Sequence, residues 1–237
     1  MTPRRTAVLM ITAAVLLNVA FTGLAGAFDY PDVLKQPAGD VLASFRESQG
    51  VVSAWFLALA IGAAILAPVA IGVGRLSDSR LMRWAVPAGV AAAVVQVVGL
   101  LRWPLLVPGW AEAATSGDPA VAADARAAFG TANRVLGNLA GETGGYILTA
   151  AWTALVIAAL GTAFAGRWFV ALGAVSAVLV LVGVVSPLDL PLIDTANFAG
   201  YILWSLWLIA FAVVILVRSR RRSAEPVAPA TTSTSAR

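Results

Sequence analysis

Six stretches of this sequence run 18 or more residues without a charged side chain: 6–28, 48–74, 84–101, 143–166, 168–188 and 195–217. Between Arg5 and Arg218 almost every charge lies in the gaps. As a helix, an apolar run of about 18–20 residues crosses the ~30 Å hydrocarbon core of a bilayer. The runs predict an all-α fold, a bundle of six transmembrane helices at about 6–28, 50–74, 84–107, 143–165, 168–187 and 197–217. Residues 1–217 read as a single domain, and 218–237 as a basic, then disordered, cytoplasmic tail.

Composition excludes much chemistry. Charged residues are 12% of the chain, about half of what a soluble domain carries. There is no cysteine, hence no disulfide, thiolate nucleophile or CxxC redox pair. There is no histidine either, which removes histidine-ligated haem, HExxH zinc sites and Ser-His dyads. The single lysine, Lys35, lies outside the apolar runs, so a retinal Schiff base inside the bundle is excluded. No catalytic residue, metal site or cofactor is expected. The net charge of +4 is no nucleic-acid signal, because the basic residues sit in short segments that orient membrane helices.

Alternate segments carry that charge unequally. Arg4, Arg5, Arg75, Arg80, Arg83, Arg167, Arg218, Arg220, Arg221, Arg222 and Arg237 fall on one side, against Lys35, Arg46, Arg126 and Arg134 on the other. The positive-inside rule then places both termini in the cytoplasm of a multi-pass protein of the cell (plasma) membrane. Arg4-Arg5, the following apolar run and Ala25-Gly26-Ala27 also resemble a cleavable secretory signal, but the run has the length of a full span.

Several features are expected in the outer loops. Val41, Leu42 and Phe45 share one side of 40–49, consistent with a short interfacial helix merging into the second span. Leu101-Arg102-Trp103-Pro104, followed by Pro108-Gly109-Trp110, predicts a helix break at the outer interface. Asp118-Pro119 caps an amphipathic stretch, 119–138, read as an outer helix lying on the bundle or in the headgroups. A solvated cap with no ligand is its plainer interpretation.

The fourth and sixth spans begin alike: Glu142-Thr-Gly-Gly145-Tyr146-Ile-Leu with Trp152, and Asn197-Phe-Ala-Gly200-Tyr201-Ile-Leu with Trp207. Glu47, Gly50 and Trp55 give a weaker third version. The pattern suggests three parallel helical hairpins and would gather Glu47, Glu142 and Asn197 at one level. Shared caps and interfacial tryptophans are the alternative explanation.

Arg102 is the one basic residue inside an expected span, 84–107, roughly 8 Å below its outer end at the helical rise. A charge at that depth faces the bundle interior or snorkels to the headgroups. The expected ligand-binding residues are Arg102, paired with Glu142, together with Trp103, Asp189, Asp194 and Asn197. A structural clasp between two helices is the competing expectation.

The segment Ala132-Asn133-Arg134-Val-Leu-Gly-Asn-Leu-Ala-Gly-Glu142-x-x-Gly145-Tyr146-Ile-Leu-Thr149-Ala-x-Trp152, with the earlier Arg-Trp-Pro, resembles domain-of-unknown-function family 4386. These are bacterial multi-pass proteins of unknown function. The resemblance implies the architecture and lends no activity. Family members often have histidine after the glutamate, where this chain has Thr143.

Three functions compete. The first is a binding, sensing or accessory protein that recognises a lipid or small amphiphile at the outer face. The second is a small transporter, and the third a carboxylate-dependent membrane enzyme. Expected partners are membrane lipids, with a second copy or another membrane protein as further candidates, and no nucleic acid.

Overall fold

The computed structural model describes residues 1–188 and 190–224. These form the helices α1 (Pro3–Phe28), α2 (Ala38–Glu47), α3 (Gln49–Gly74), α4 (Arg80–Leu105), α5 (Val107–Ala113), α6 (Pro119–Ala132), α7 (Gly145–Ala165), α8 (Arg167–Val182) and α9 (Ile193–Ala224). A π-helical segment, Asn133–Gly144, joins α6 to α7. Six helical stretches are long and apolar enough to cross a membrane, and no strand forms among the described residues.

Each span packs on the one before and the one after it, and α9 returns to α1. The six spans therefore make a closed ring in chain order. Small residues set its spacing: Ala7, Ala13 and Ala14 of α1 are buried with Val69 and Ala70 of α3. Without water to drive apolar association, such close packing is what holds membrane helices together. At the α1–α9 seam Asn18 Nδ2 donates to Ser205 Oγ at 2.9 Å. The perimeter is apolar and exposed, as Val15, Ile61, Val94, Val178 and Val213 illustrate.

The two ends of the ring differ. One holds the start of α1, the 75–79 loop, the Gly166 turn and the last turns of α9. It is the basic end. Gly161 and Gly166 take φ of 61° and 90° there, a left-handed backbone that glycine adopts without a Cβ clash and that turns α7 back into α8. The other end is capped by α2, α5 and α6. The interior between them contains an aromatic plug. Trp207 stacks on Phe169 at 5.4 Å and meets Phe211 at 5.3 Å, and its indole donates to Phe169 O at 3.1 Å.

Several loop expectations change. The 119–138 stretch packs at the cap end as α6 but is not set apart from the fourth span: Pro119–Ala165 is one continuous helical run of 47 residues. The expected gap is bridged by the π-helical turn, whose glycines let it press against α4. The expected break at the end of the third span is present: α4 stops at Leu105, just after Pro104, and the backbone changes at Leu106 before α5 starts with Pro108 in its first turn. The apolar side of α2 faces protein, with Val41, Leu42 and Phe45 at 0–1% exposure. Ser48, at φ −126° and ψ 25°, separates α2 from α3, so the two do not merge.

Candidate functional site

The cap end is built around Arg102. Its side chain is only 4% exposed, so it faces the interior and does not snorkel. It reaches from α4 to the π-helical segment, where Nη2 donates to Asn133 Oδ1 at 2.9 Å. Nη1 donates to Gly99 O within its own helix. Glycine makes this approach possible. A methyl added at Gly99 would stand 2.8 Å from Gly141 Cα and 2.9 Å from Leu136 O, and one at Gly137 would stand 2.7 Å from Arg102 Nη2. π-helical turns are uncommon and occur disproportionately at functional sites.

The expected direct pairing of Arg102 with Glu142 is absent. Among the described residues the salt bridges are those of Lys35 with Asp32 (2.8 Å) and Asp194 (3.7 Å). The guanidinium is turned towards Asn133 and Gly99, and Glu142 acts on it electrostatically from beyond ion-pair range. The Arg102 Nε has no hydrogen-bond partner in the described structure.

Trp103 is a packing residue. It is fully buried, stacked on Phe56 at 4.6 Å and 6°, and met edge-on by Phe28 at 5.2 Å and Phe129 at 5.9 Å. No face of its ring is open to a ligand, contrary to its expected place in a binding site.

Asn197 is also engaged: it is buried, and Nδ2 donates to Val180 O at 2.8 Å, tying α9 to α8. Asp194 lies exposed at the start of α9, in reach of Lys35. Asp189, the remaining expected site residue, lies outside the described residues. Glu47 is exposed at the end of α2, and Gly50 has nothing within 4 Å of an added Cβ. The third copy of the helix-start pattern therefore lacks the packing of the other two, in which Gly145 faces Gln96 of α4 and Gly200 faces Leu179 of α8.

A different set of residues lies within electrostatic reach of Glu142. The chain has three tyrosines, Tyr30, Tyr146 and Tyr201, and Glu142 acts electrostatically on all of them. Tyr146 and Tyr201 meet at 5.9 Å between ring centroids. Tyr30, in the loop after α1, packs edge-on against Phe56 at 5.2 Å. Burial pushes the Tyr30 phenol up from 10.0 to about 12; Glu142 adds to the rise, and Arg102 opposes it. Glu142 itself is half-buried and takes no hydrogen bond or ion pair among the described residues.

Polar contacts continue inward from this cluster. Gln96 Nε2 donates to Thr149 Oγ1 at 3.1 Å, and Tyr201 also approaches the Thr149 side chain. One turn deeper, Thr153 Oγ1 accepts from Trp204 Nε1 at 2.8 Å and donates to Thr149 O at 2.8 Å. The track stops at the aromatic plug. The rarity of tyrosine was its one signal in the sequence. Gln96, Thr149 and Thr153 gave none, being single neutral residues in apolar runs.

The sequence pattern of domain-of-unknown-function family DUF4386 matches residues 6–212, which is nearly all of the six-span ring. The chain belongs to the DUF4386 family. No curated protein and no solved structure matches it. For this DUF4386 protein the chemistry must be read from the cap end itself. There a carboxylate without a hydrogen bond among the described residues lies within electrostatic reach of three phenols and a buried guanidinium. Such a set can accept hydrogen bonds from a hydroxyl or ammonium group and donate to an anionic oxygen. Among the described residues no cluster of three acidic, histidine or cysteine side chains could hold a metal ion.

Proposed function

We propose that this DUF4386 protein is a membrane-embedded binding or sensing protein for the polar head of a lipid or small amphiphile, taken at the cap end beside Glu142. The observation that carries this reading is a half-buried carboxylate left without a hydrogen bond among the described residues, with all three tyrosines inside its electrostatic reach. An unpaired carboxylate in a partly desolvated place is costly unless something donates to it. A hydroxyl- or ammonium-bearing head group is the partner of matching chemistry. Asp194 and Lys35 would stand at the rim, and Arg102 would hold the frame. The excess of arginine at the opposite end supports a cytoplasmic placement of that end, and so an outward-facing site in the cell membrane.

The test is lipid-dependent stability. The purified protein, in nanodiscs of defined composition, should melt at a higher temperature with lipids whose heads carry a hydroxyl or ammonium donor. A ligand that binds only the folded state raises stability with its concentration. Glu142→Gln should abolish that difference while the melting point in donor-free lipid stays within a few degrees. An unchanged lipid preference in Glu142→Gln would remove the reading.

The alternative is a small transporter. The polar track ends at Trp207, Phe169 and Phe211, and among the described residues no charged side chain lies in the middle of a span, where coupling sites usually sit. Net movement of a solute into liposomes by the purified protein would reverse the order. A carboxylate-dependent enzyme is the third reading, supported only by Glu142.

A further inference from the structure

Near the middle of the spans the ring encloses a small cavity of about 10 Å³, lined by Leu66, Gly89, Ala92, Thr149, Trp152 and Trp204. It lies between α3, α4, α7 and α9. The Trp152 side chain is 96% buried on its 4% exposure, and its indole Nε1 donates to nothing in the described structure. Gly89 brings α4 close to that ring: a methyl added there would stand 2.7 Å from Nε1. Trp204, the neighbouring indole, is satisfied by Thr153, so the open donor belongs to Trp152 alone in this layer.

We infer that this cavity is a binding site for one water molecule, held between Trp152 Nε1 and Thr149 Oγ1. The volume admits about one water, and a buried water needs two to four polar partners. Trp152 supplies a donor. Thr149 supplies a hydroxyl already joined to Gln96, so the water extends the chain from Gln96 through Thr149 to Trp152. An indole N–H buried without a partner forfeits the hydrogen bond it had in water, which makes a dry cavity unfavourable here. No larger ligand fits. The inference is independent of any head-group binding at Glu142.

The full chain, reconstituted in nanodiscs with its eight tryptophans labelled at the indole nitrogen, provides the test. Trp152→Phe identifies the Trp152 indole resonance by its disappearance. In the unaltered protein that proton should receive dipolar magnetisation from water. Ala92→Val fills the cavity and should remove at least nine-tenths of that transfer, roughly a tenfold drop, while the resonance persists. Should Trp152→Phe fail to fold, the selective shift in Ala92→Val makes the same assignment. Absent transfer in the unaltered protein, transfer unaffected by Ala92→Val, or transfer by chemical exchange with bulk solvent would each overturn the site.

Discussion

Tyr146 of α7 and Tyr201 of α9 face one another with ring centroids 5.9 Å apart, each from the same position of a repeated Gly-Tyr-Ile-Leu segment. Six residues further on, Trp152 and Trp207 also meet, at 5.9 Å and 83°. The repeated sequence thus makes a paired contact across the ring interior. One pair lies beside Glu142 and the other at the plug, so the two like segments span the depth of the polar track.

Gly99→Ala should be strongly destabilising. Its methyl would collide with Gly141 Cα and Leu136 O, both backbone, so α4 and the π-helical turn must separate. Overpacking of this kind costs about 1–3 kcal/mol. Gly26→Ala, with nothing within 4 Å, should be neutral or slightly stabilising. Equilibrium unfolding of the two variants in the same bilayer mimetic checks the contrast.

Asn133→Ala removes the side-chain acceptor of Arg102 Nη2 and leaves a buried cation less compensated. The expected loss is about 1.5–3 kcal/mol. Replacing both partners, Arg102→Met with Asn133→Leu, should recover more than half of it, since a buried polar pair can be exchanged for apolar packing at little net cost. A double-mutant cycle of unfolding free energies measures the coupling. No recovery would show that Arg102 holds the fold through contacts other than Asn133.

Trp207→Ala should cost about 3–5 kcal/mol, as removal of a fully buried aromatic does. It leaves a void among Phe169, Phe211 and Trp152 and deletes the bond to Phe169 O. Trp84→Ala, at a ring 62% exposed, should change the melting temperature far less. Thermal unfolding in detergent distinguishes them.

Tyr30 gives a pH dependence. Its phenol has an ordinary value of 10.0 and is held at about 12 in the fold, chiefly by burial. Because the folded value is the higher one, the folded state favours the protonated form. That stabilising term is complete below pH 10 and is lost as pH rises through 12. Phenolate absorbance should therefore show this tyrosine ionising later than a free one, and Tyr30→Phe should remove that step.

Much of the architecture was legible because the bilayer is a severe solvent. A charge-free run of span length has few other places to go, and the runs at 48–74 and 84–101 map directly onto α3 and α4. Helix breaks were less legible. The break marked by Pro104 and Pro108 does fall between them, at Leu106, but the join between α6 and α7 was not legible. The gap expected between 138 and 143 is filled by the π-helical turn, which depends on Gly99 and Gly141 meeting from different helices.

The sequence by itself determined that this is a six-span helical membrane protein, which end is basic, and which chemistries are ruled out. These follow from residue type and run length, and transfer free energy depends on little else. Only the tertiary structure decided that Arg102 turns to Asn133 rather than to Glu142, that Trp103 is sealed among phenylalanines, and that three scattered tyrosines come within electrostatic reach of one carboxylate. Those outcomes depend on how the helices rotate and where the ring closes. Rotation is set by packing between small residues far apart in the chain, and no local pattern encodes it.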